Sequence, residues 1–207
     1  MRRLIYIPII HTEADMGSMA EGLKKEFTRK HGRTKWKEHV RAVDDMWNGI
    51  RRKIEGLKLD YKKVRVYQDG LPLSGREMDI ARDVAAKGSK NYSIVLDLIN
   101  QGASLEGTED INLLLEEYKY VKEVTGITNP IQKEEAIKKH QGMADALLVK
   151  RGRFIAQRID KTLREGETGI LFMGIKHEVD KYLPKDIKVS DLIYRLPFKK
   201  IFKLRGM

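Results

Sequence analysis

Short apolar runs alternate along this chain with longer stretches in which apolar residues recur every three or four positions. The apolar runs cover residues 3–10 and 169–174, and two shorter segments, 64–67 and 186–189, are also predicted strands. Runs without polar alternation are typical of strands that are buried on both faces of a parallel sheet. The longer stretches have the periodicity of amphipathic helices. The predicted helices cover 14–30, 34–57, 75–87, 90–101, 111–124 and a long region from 130. The sequence therefore predicts an α/β fold with a layered, mainly parallel central sheet flanked by helices.

Turn and capping residues mark where several of these helices begin or end. Gly32 ends the first helix, because glycine readily takes the left-handed conformation that follows a helix. Ser89 and Asn129 are predicted N-caps, since their side chains can accept hydrogen bonds from the first turn. Thr108 is the predicted N-cap of the helix that starts at residue 111. Before that helix, residues 103–110 predict only a very short strand or a turn.

The length and composition favour one domain without covalent cross-links. The chain has 207 residues and no cysteine, which is enough sequence to bury an ordinary core but provides no disulfide and no thiolate ligand. No apolar run approaches the roughly 18 residues of a membrane span, and the first run is too short for a signal peptide. We therefore expect a soluble, cytoplasmic protein with a single domain, residues 1–207.

The positive charge is concentrated in one region. The formal net charge is +11, and residues 22–66 hold fifteen Lys and Arg against six Asp and Glu. We interpret about 22–62 as a basic helical insertion in the domain, and the C-terminal tail from Lys181 is also basic. A concentration of positive charge of this kind favours binding to nucleic acid, to an anionic substrate or to an acidic partner. The solvated Lys-rich surface of a heat-tolerant protein has the same composition.

Three polar residues that follow predicted strands carry the candidate chemistry. His11 follows the first strand, Asp69 the second, and His177 the strand at 169–174. Because the carboxyl ends of parallel strands lie at one edge of a sheet, where ligands gather, we expect these side chains to meet. Other carboxylates are close enough in sequence to join them: Glu13, Asp15, Glu106, Glu109, Glu178 and Asp180. Glu106 is the alternative to Asp69 as the catalytic carboxylate.

Arg151 lies on the inward-facing stripe of the last long helix. It comes three residues after Leu148 and four before Ile155, so all three share one face. A guanidinium that points inward needs an anion or several hydrogen-bond acceptors. The alternative is that only the aliphatic stem of Arg151 is buried and the guanidinium reaches solvent. We count it as a candidate site residue that binds an anion or stabilises an oxyanion. Glu109 stands at the start of a predicted helix, where complementing the helix dipole is favoured over a chemical role.

Two kinds of chemistry are open to these residues. His11, His177 and Asp69 could hold a divalent cation such as Mn, Zn, Co or Fe, which would lower the pKa of a bound water and make a hydroxide nucleophile. The same residues without a metal could act as general acid and base, because histidine titrates near neutral pH. The spacing does not choose between these two.

The two histidines end a short motif that occurs twice. Gly174-Ile175-Lys176-His177 is a GxxH motif after a strand, and Pro8-Ile9-Ile10-His11 is similar, with proline in place of glycine. Paired GxxH motifs near the two ends of an α/β domain resemble the TraB/Tiki group and the wider superfamily of erythromycin-esterase-like and ChaN-like proteins. The segment from Arg151 to Ala156 resembles the arginine helix of that superfamily, with Gly152 where the family has aspartate.

The resemblance covers residues 4–15 and 147–192. It implies a hydrolase-type site that uses His11, His177 and Arg151. Such a site is metal-dependent and proteolytic in some members, an esterase in others, and a haem-binding pocket in others again. The family's acidic residue after the second strand has no clear match here.

The sequence leads to three functional hypotheses. The first is a hydrolase, in a metal-dependent or a metal-free version, that acts on an unknown small-molecule or peptide substrate, with Asp69 or Glu106 as its carboxylate. The second is a nucleic-acid-binding or nuclease-like protein that uses the basic surface, although no RNP-like or zinc-finger pattern is present. The third is a non-catalytic scaffold with a degenerate site.

Overall fold

Five strands form one sheet in the computed structural model, which describes residues 1–12 and 14–194. The strands are β1 (Arg2–Ile9), β2 (Val64–Gln68), β3 (Ser104–Glu106), β4 (Thr168–Gly174) and β5 (Ile187–Asp191). Their order across the sheet is β3-β2-β4-β1-β5, and every neighbouring pair is parallel. The α/β fold predicted from the apolar runs is therefore confirmed.

Within the described residues, five α-helices accompany these strands. They are α1 (Ala20–Gly56), α2 (Glu77–Ala86), α3 (Lys90–Asn100), α4 (Ile111–Gly126) and α5 (Pro130–Thr162). Short 3-10 helices cover Ala14–Met19, Tyr61–Lys63 and Val179–Tyr182. None of the helices in this part of the chain has an apolar stretch long enough to cross a bilayer.

Helix α1 folds back on itself at Gly32. This glycine has a φ of 86°, which interrupts the helix between an arm at 20–31 and an arm at 33–56. The ring of Phe27 lies 5.3 Å from that of His39, centroid to centroid, whereas twelve residues of straight helix would rise about 18 Å. The two helices predicted on either side of Gly32 are therefore separate arms.

The sheet is covered on both faces, which explains the continuous apolar runs. In β1, Ile5 and Ile7 pack with the second arm of α1 and with α3. Leu4 and Tyr6 point the other way and pack with α5, as the alternation of side chains along a strand requires. The strands are thus sandwiched between two helical layers, and the open edge at their carboxyl ends is where side chains can meet a ligand.

The two arms of α1 differ in how they contribute to this core. Val43, Trp47 and Ile50 of the second arm are buried, so part of the segment interpreted as a basic insertion, about 22–62, is a core helix. None of the residues 20–31 is buried. Glu13 and the part of the basic C-terminal tail at 195–207 lie outside the described residues.

Capping residues set the helix starts, with one departure from the sequence prediction. Ser89 and Asn129 accept hydrogen bonds from backbone N–H groups of the first turn at 3.0 and 2.9 Å, which confirms both as N-caps. The predicted cap Thr108 is wrong, because Asp110 caps α4 instead. Thr108 hydrogen-bonds the backbone of β2 and β3. The helix therefore starts beyond Glu109, which stays in the extended segment.

Candidate functional site

Three neighbouring strands bring the candidate residues to one edge of the sheet. β4 lies between β2 and β1, so Asp69, His177 and His11, which follow these strands, come together at their carboxyl ends. His11 Nε2 lies 3.2 Å from Asp69 Oδ2, and His177 Nε2 lies 4.0 Å from Asp69 Oδ1. The two histidines therefore flank the two oxygens of one carboxylate.

Gly174 begins a tight turn that places His177 over the end of β4. The N–H of His177 donates to the carbonyl of Gly174 at 3.0 Å, and the hydroxyl of Tyr6 donates to the carbonyl of His177 at 2.9 Å. The N–H of Gly174 donates to Asp69 Oδ2 at 2.8 Å. A Cβ atom at position 174 would stand 2.7 Å from that oxygen, which is closer than real contacts allow. Glycine at this position thus makes room for the carboxylate.

Asp69 is buried and ionised. Its Oδ1 accepts a hydrogen bond from Arg151 Nη2 at 2.9 Å, while Oδ2 faces His11 and the N–H of Gly174. Burial by itself raises the pKa of this carboxyl, but the hydrogen bond from His11 and the charges of His11, His177 and Arg151 hold the pKa well below its ordinary value. Asp69 therefore carries its negative charge at neutral pH.

His11 is the accessible member of the group, with 32% of its side chain exposed. Since an ionised carboxylate can only accept, the Nε2 that faces Asp69 carries the proton. Nδ1 makes no hydrogen bond with any described residue, so in the neutral imidazole it is free to accept a proton. Partial burial lowers the pKa of His11, but the hydrogen bond and charge of Asp69 more than offset this effect, and the pKa is raised above 6.5.

His177 is buried and neutral. Its burial lowers the pKa to about 4, although the nearby charge of Asp69 acts in the opposite direction. Its Nδ1 is buried and has no hydrogen-bond partner among the described residues. An unpaired buried nitrogen is uncommon in a folded protein and calls for a partner such as water or a bound molecule.

Arg151 is held by three carboxylates of the protein. Its Nε donates to Glu109 Oε2 at 2.9 Å, Nη1 donates to Glu117 Oε2 at 2.6 Å, and Nη2 donates to Asp69. Arg151, Asp69 and Glu109 are all buried. The inward orientation predicted from the helical stripe is confirmed, and its acceptors are acidic side chains. Arg151 thereby fixes the position of Asp69 and contributes to its ionisation.

Glu109, and not Glu106, joins this network. Glu106 pairs with Arg65 and lies 3.6 Å from Arg158, and none of its described contacts involves Asp69. Glu109 lies three residues beyond Glu106, where the backbone continues the pairing of β3 with the segment after β2. Burial raises the pKa of Glu109 to about 7, against the lowering effect of Arg151. Its position just after a short strand is the same signal that identified Asp69 and could have found it.

A cavity of about 440 Å³ opens beside His11. This volume is in the range of roughly 300–1,000 Å³ that is usual for small-molecule sites. Its lining includes His11, Thr12, Trp36, His39, Lys87 and Lys90. Asp69, Arg151 and His177 do not line it, so His11 is the member of the cluster that a molecule in the cavity would meet.

The surroundings of Asp69 do not suit a divalent cation. Both of its oxygens already accept hydrogen bonds from N–H groups, and the guanidinium of Arg151 lies 2.9 Å from Oδ1. A metal ion there would be repelled by Arg151 and would have to displace these donors. Within residues 1–12 and 14–194, no three His, Asp or Glu side chains are grouped as metal ligands. We therefore derive no chemical step through a metal.

Comparison with known proteins gives no family for this chain. No protein-family model, no curated protein and no solved structure matches it.

Proposed function

We propose that this chain is a hydrolase in which His11, oriented by Asp69, removes a proton from the attacking water. The observation that carries the proposal is the geometry at Asp69. His11 Nε2 lies 3.2 Å from Oδ2, which leaves Nδ1 as the proton acceptor of a residue that lines a cavity. A histidine base oriented by a buried carboxylate is the arrangement by which many hydrolases activate a nucleophile.

The proposed reaction uses only the protein, water and a substrate with an ester or amide bond. His11 Nδ1 takes a proton from water while the water oxygen forms a bond to the carbonyl carbon and the π electrons of the C=O bond move onto the carbonyl oxygen. The charge of Asp69 stabilises the imidazolium that results. The C=O bond then re-forms as the bond from carbon to the leaving oxygen or nitrogen breaks, and His11 returns the proton to that leaving atom.

Arg151 and His177 support this step in different ways. Arg151 holds Asp69 in place through the hydrogen bond to Oδ1, and its charge adds to those of the histidines that keep Asp69 ionised. His177 has a pKa of about 4, so it stays neutral and does not compete with His11 for the charge of Asp69. The resemblance of the two GxxH motifs to the TraB/Tiki group, which implies a hydrolase-type site, supports the same class of reaction.

Hydrolysis of a panel of p-nitrophenyl esters and fluorogenic peptides tests the proposal. The change His11→Gln removes the base, and kcat/KM is expected to fall by about 10² to 10⁴-fold. The matched control is His140→Gln, because His140 lies on α5 and pairs with Glu123 at 3.7 Å; it is expected to keep wild-type activity.

Three results would count against the proposal. One is a wild-type protein that hydrolyses nothing on the panel, as the scaffold hypothesis expects. Another is a His11→Gln variant as active as the control. The third is an activity that a chelator abolishes and Mn²⁺ or Zn²⁺ restores, because the proposed step uses no metal.

The pH dependence of kcat/KM is expected to show one basic group. The pKa of His11 is raised above 6.5, and only its neutral form can take a proton, so kcat/KM should rise about tenfold per pH unit below that pKa and then level off. His177 has a pKa of about 4, so its titration should not change kcat/KM above about pH 5. Initial rates from pH 5 to 9 provide the measurement, and a profile that is already flat at pH 6 would contradict the assignment of His11.

A further inference from the structure

We infer that the groove between the two arms of α1 binds a single strand of nucleic acid. The groove is open to solvent and has a volume of about 990 Å³. Its lining contains six cations and one carboxylate, that of Glu21. The cations are Lys24, Lys25, Arg29, Arg33, Lys37 and Arg41. A groove of this composition attracts an anion with many charges.

The cations form rows on the two facing arms. Arg33, Lys37 and Arg41 are spaced four residues apart on the second arm, so they share one face of that helix. Lys25 and Arg29 have the same spacing on the first arm. A row of cations on each wall matches a ligand whose negative charges repeat along its length, as phosphates repeat along a nucleic-acid backbone.

Most of these cations have no counter-charge among the residues that the structure describes. Lys25 pairs with Glu21 at 2.7 Å, as expected for an ordinary solvated helix surface. Within the described ranges, in contrast, no ion pair is formed by four of the groove's cations, namely Arg29, Arg33, Lys37 and Arg41. Unpaired cations that face one another across a groove repel, and an anionic ligand would relieve this repulsion.

Trp36 indicates that the ligand has unstacked bases. It lines the groove with a partly exposed side chain, and its ring packs against Phe27 with centroids 5.3 Å apart. Proteins that bind single strands combine a cationic groove with aromatic side chains on which bases stack. A duplex keeps its bases stacked inside, and an anionic bilayer presents a plane that a concave groove does not fit. The single strand is therefore the ligand that uses both the cations and the tryptophan.

The groove continues into the cavity beside His11. Trp36 and Val40 line both spaces, so the end of a bound strand would lie next to that cavity. The binding surface nevertheless belongs to α1 alone, and none of its cations contacts Asp69 among the described contacts. Binding of a strand is therefore independent of the proposed hydrolysis, and His11→Gln is expected to leave it unchanged.

Fluorescence anisotropy with a labelled 12-nucleotide oligothymidylate tests the inference on the full chain. Binding is expected at about 50 mM salt, with log affinity falling linearly as log salt rises. The double change R33E/R41E should weaken binding and reduce the salt slope by about 1.4, since each phosphate contact of a single strand contributes about 0.7. The control K161E/K185E carries the same change in charge on two exposed residues outside the groove and is expected to keep most of the salt slope.

Trp36 supplies a second readout that does not depend on charge. The only other tryptophan is Trp47, which is buried, so in a Trp47→Phe background the emission comes from Trp36. Stacking of a base on Trp36 should quench this emission. Trp36→Leu should weaken binding by about 5- to 150-fold, the effect expected for the loss of one stacked base. A circular dichroism melt of each variant shows whether the fold is retained.

Several outcomes would overturn the inference. They are no binding at about 50 mM salt, an equal loss in R33E/R41E and K161E/K185E, and a duplex bound more tightly than the single strand. Binding to vesicles that contain phosphatidylserine, without binding to the oligonucleotide, would identify the groove as a membrane-facing surface instead. Oligonucleotide binding that persists without Trp36 quenching would remove the stacking role.

Discussion

Replacement of Arg151 by methionine is expected to lower the free energy of unfolding by about 3–5 kcal/mol. Methionine keeps an unbranched stem but has no charge and no donors. Asp69 and Glu109, which are 6% and 0% exposed, would lose the cation that they share. The expected loss is large because two buried carboxylates would lose the guanidinium that they share, and not because the ion pairs themselves add much net stability.

Urea unfolding of the wild type, Arg151→Met and a control gives the measurement, with stability taken from the midpoint at an unchanged slope. Lys150→Met is the control, because Lys150 is the exposed neighbour on the same helix and should change stability by no more than about 0.5 kcal/mol. The double variant R151M/E109Q should recover part of the loss, since it removes one of the two buried carboxyl groups that lose the guanidinium. No recovery, or a loss below about 1 kcal/mol, would show that the network is not what holds this edge together.

The loss of unfolding free energy in Arg151→Met, relative to wild type, should also become smaller as the pH falls. Burial already raises the pKa of Glu109 to about 7 against the lowering effect of Arg151. Without the guanidinium this pKa rises further, so the folded variant binds a proton that the unfolded chain releases at neutral pH. A group whose pKa is raised on folding contributes stability that is lost as pH rises through the folded pKa. The deficit relative to wild type is therefore expected to be smaller at pH 5 than at pH 7.5. A simple packing defect would give the same deficit at both.

The sequence was sufficient to predict that the three candidate residues meet, because their meeting depends on the topology of the sheet rather than on the details of the loops. His11, Asp69 and His177 each follow an apolar strand, and the carboxyl ends of parallel strands meet at one edge whatever the loops do. The strand order could not be read from the sequence, yet it decides the result: β4 lies between β1 and β2. If β3 or β5 were in that place, Asp69 would not lie between the two histidines.

The sequence could not predict which glutamate contacts Arg151, because that contact depends on local strand pairing. Glu106 and Glu109 differ by three positions at the end of one short strand, and which of them faces Arg151 depends on how far the pairing with β2 extends. Thr108 is a plausible cap by residue type, but its hydroxyl is used by the backbone of β2 and β3. Asp110 is the cap, and this shift leaves Glu109 free to turn toward Arg151.

Asparagine in place of Asp69 should abolish most of the proposed activity while changing the shape of the site very little. The carboxylate now fixes the proton of His11 on Nε2, because it can only accept. An amide at position 69 can donate to Nε2 instead, which places the proton on Nδ1 and leaves the imidazole with no lone pair toward the water. It also withdraws the negative charge that stabilises the imidazolium. The equivalent change in a serine protease triad costs about 10⁴ in kcat, and we expect a similar loss here.

The loss of activity in Asp69→Asn must be distinguished from unfolding of the variant, because Asp69 also accepts a hydrogen bond from Arg151 that contributes to the fold. Asp83→Asn, at an exposed position on α2, is the matched control and should keep full activity. The sharper test is the double variant H11Q/D69N. If Asp69 acts through His11, the two single changes remove the same step, so the double variant should be about as inactive as the worse single one. Losses that multiply would mean that the two residues act separately, and the hydrogen bond between them would then be a structural contact rather than the basis of catalysis.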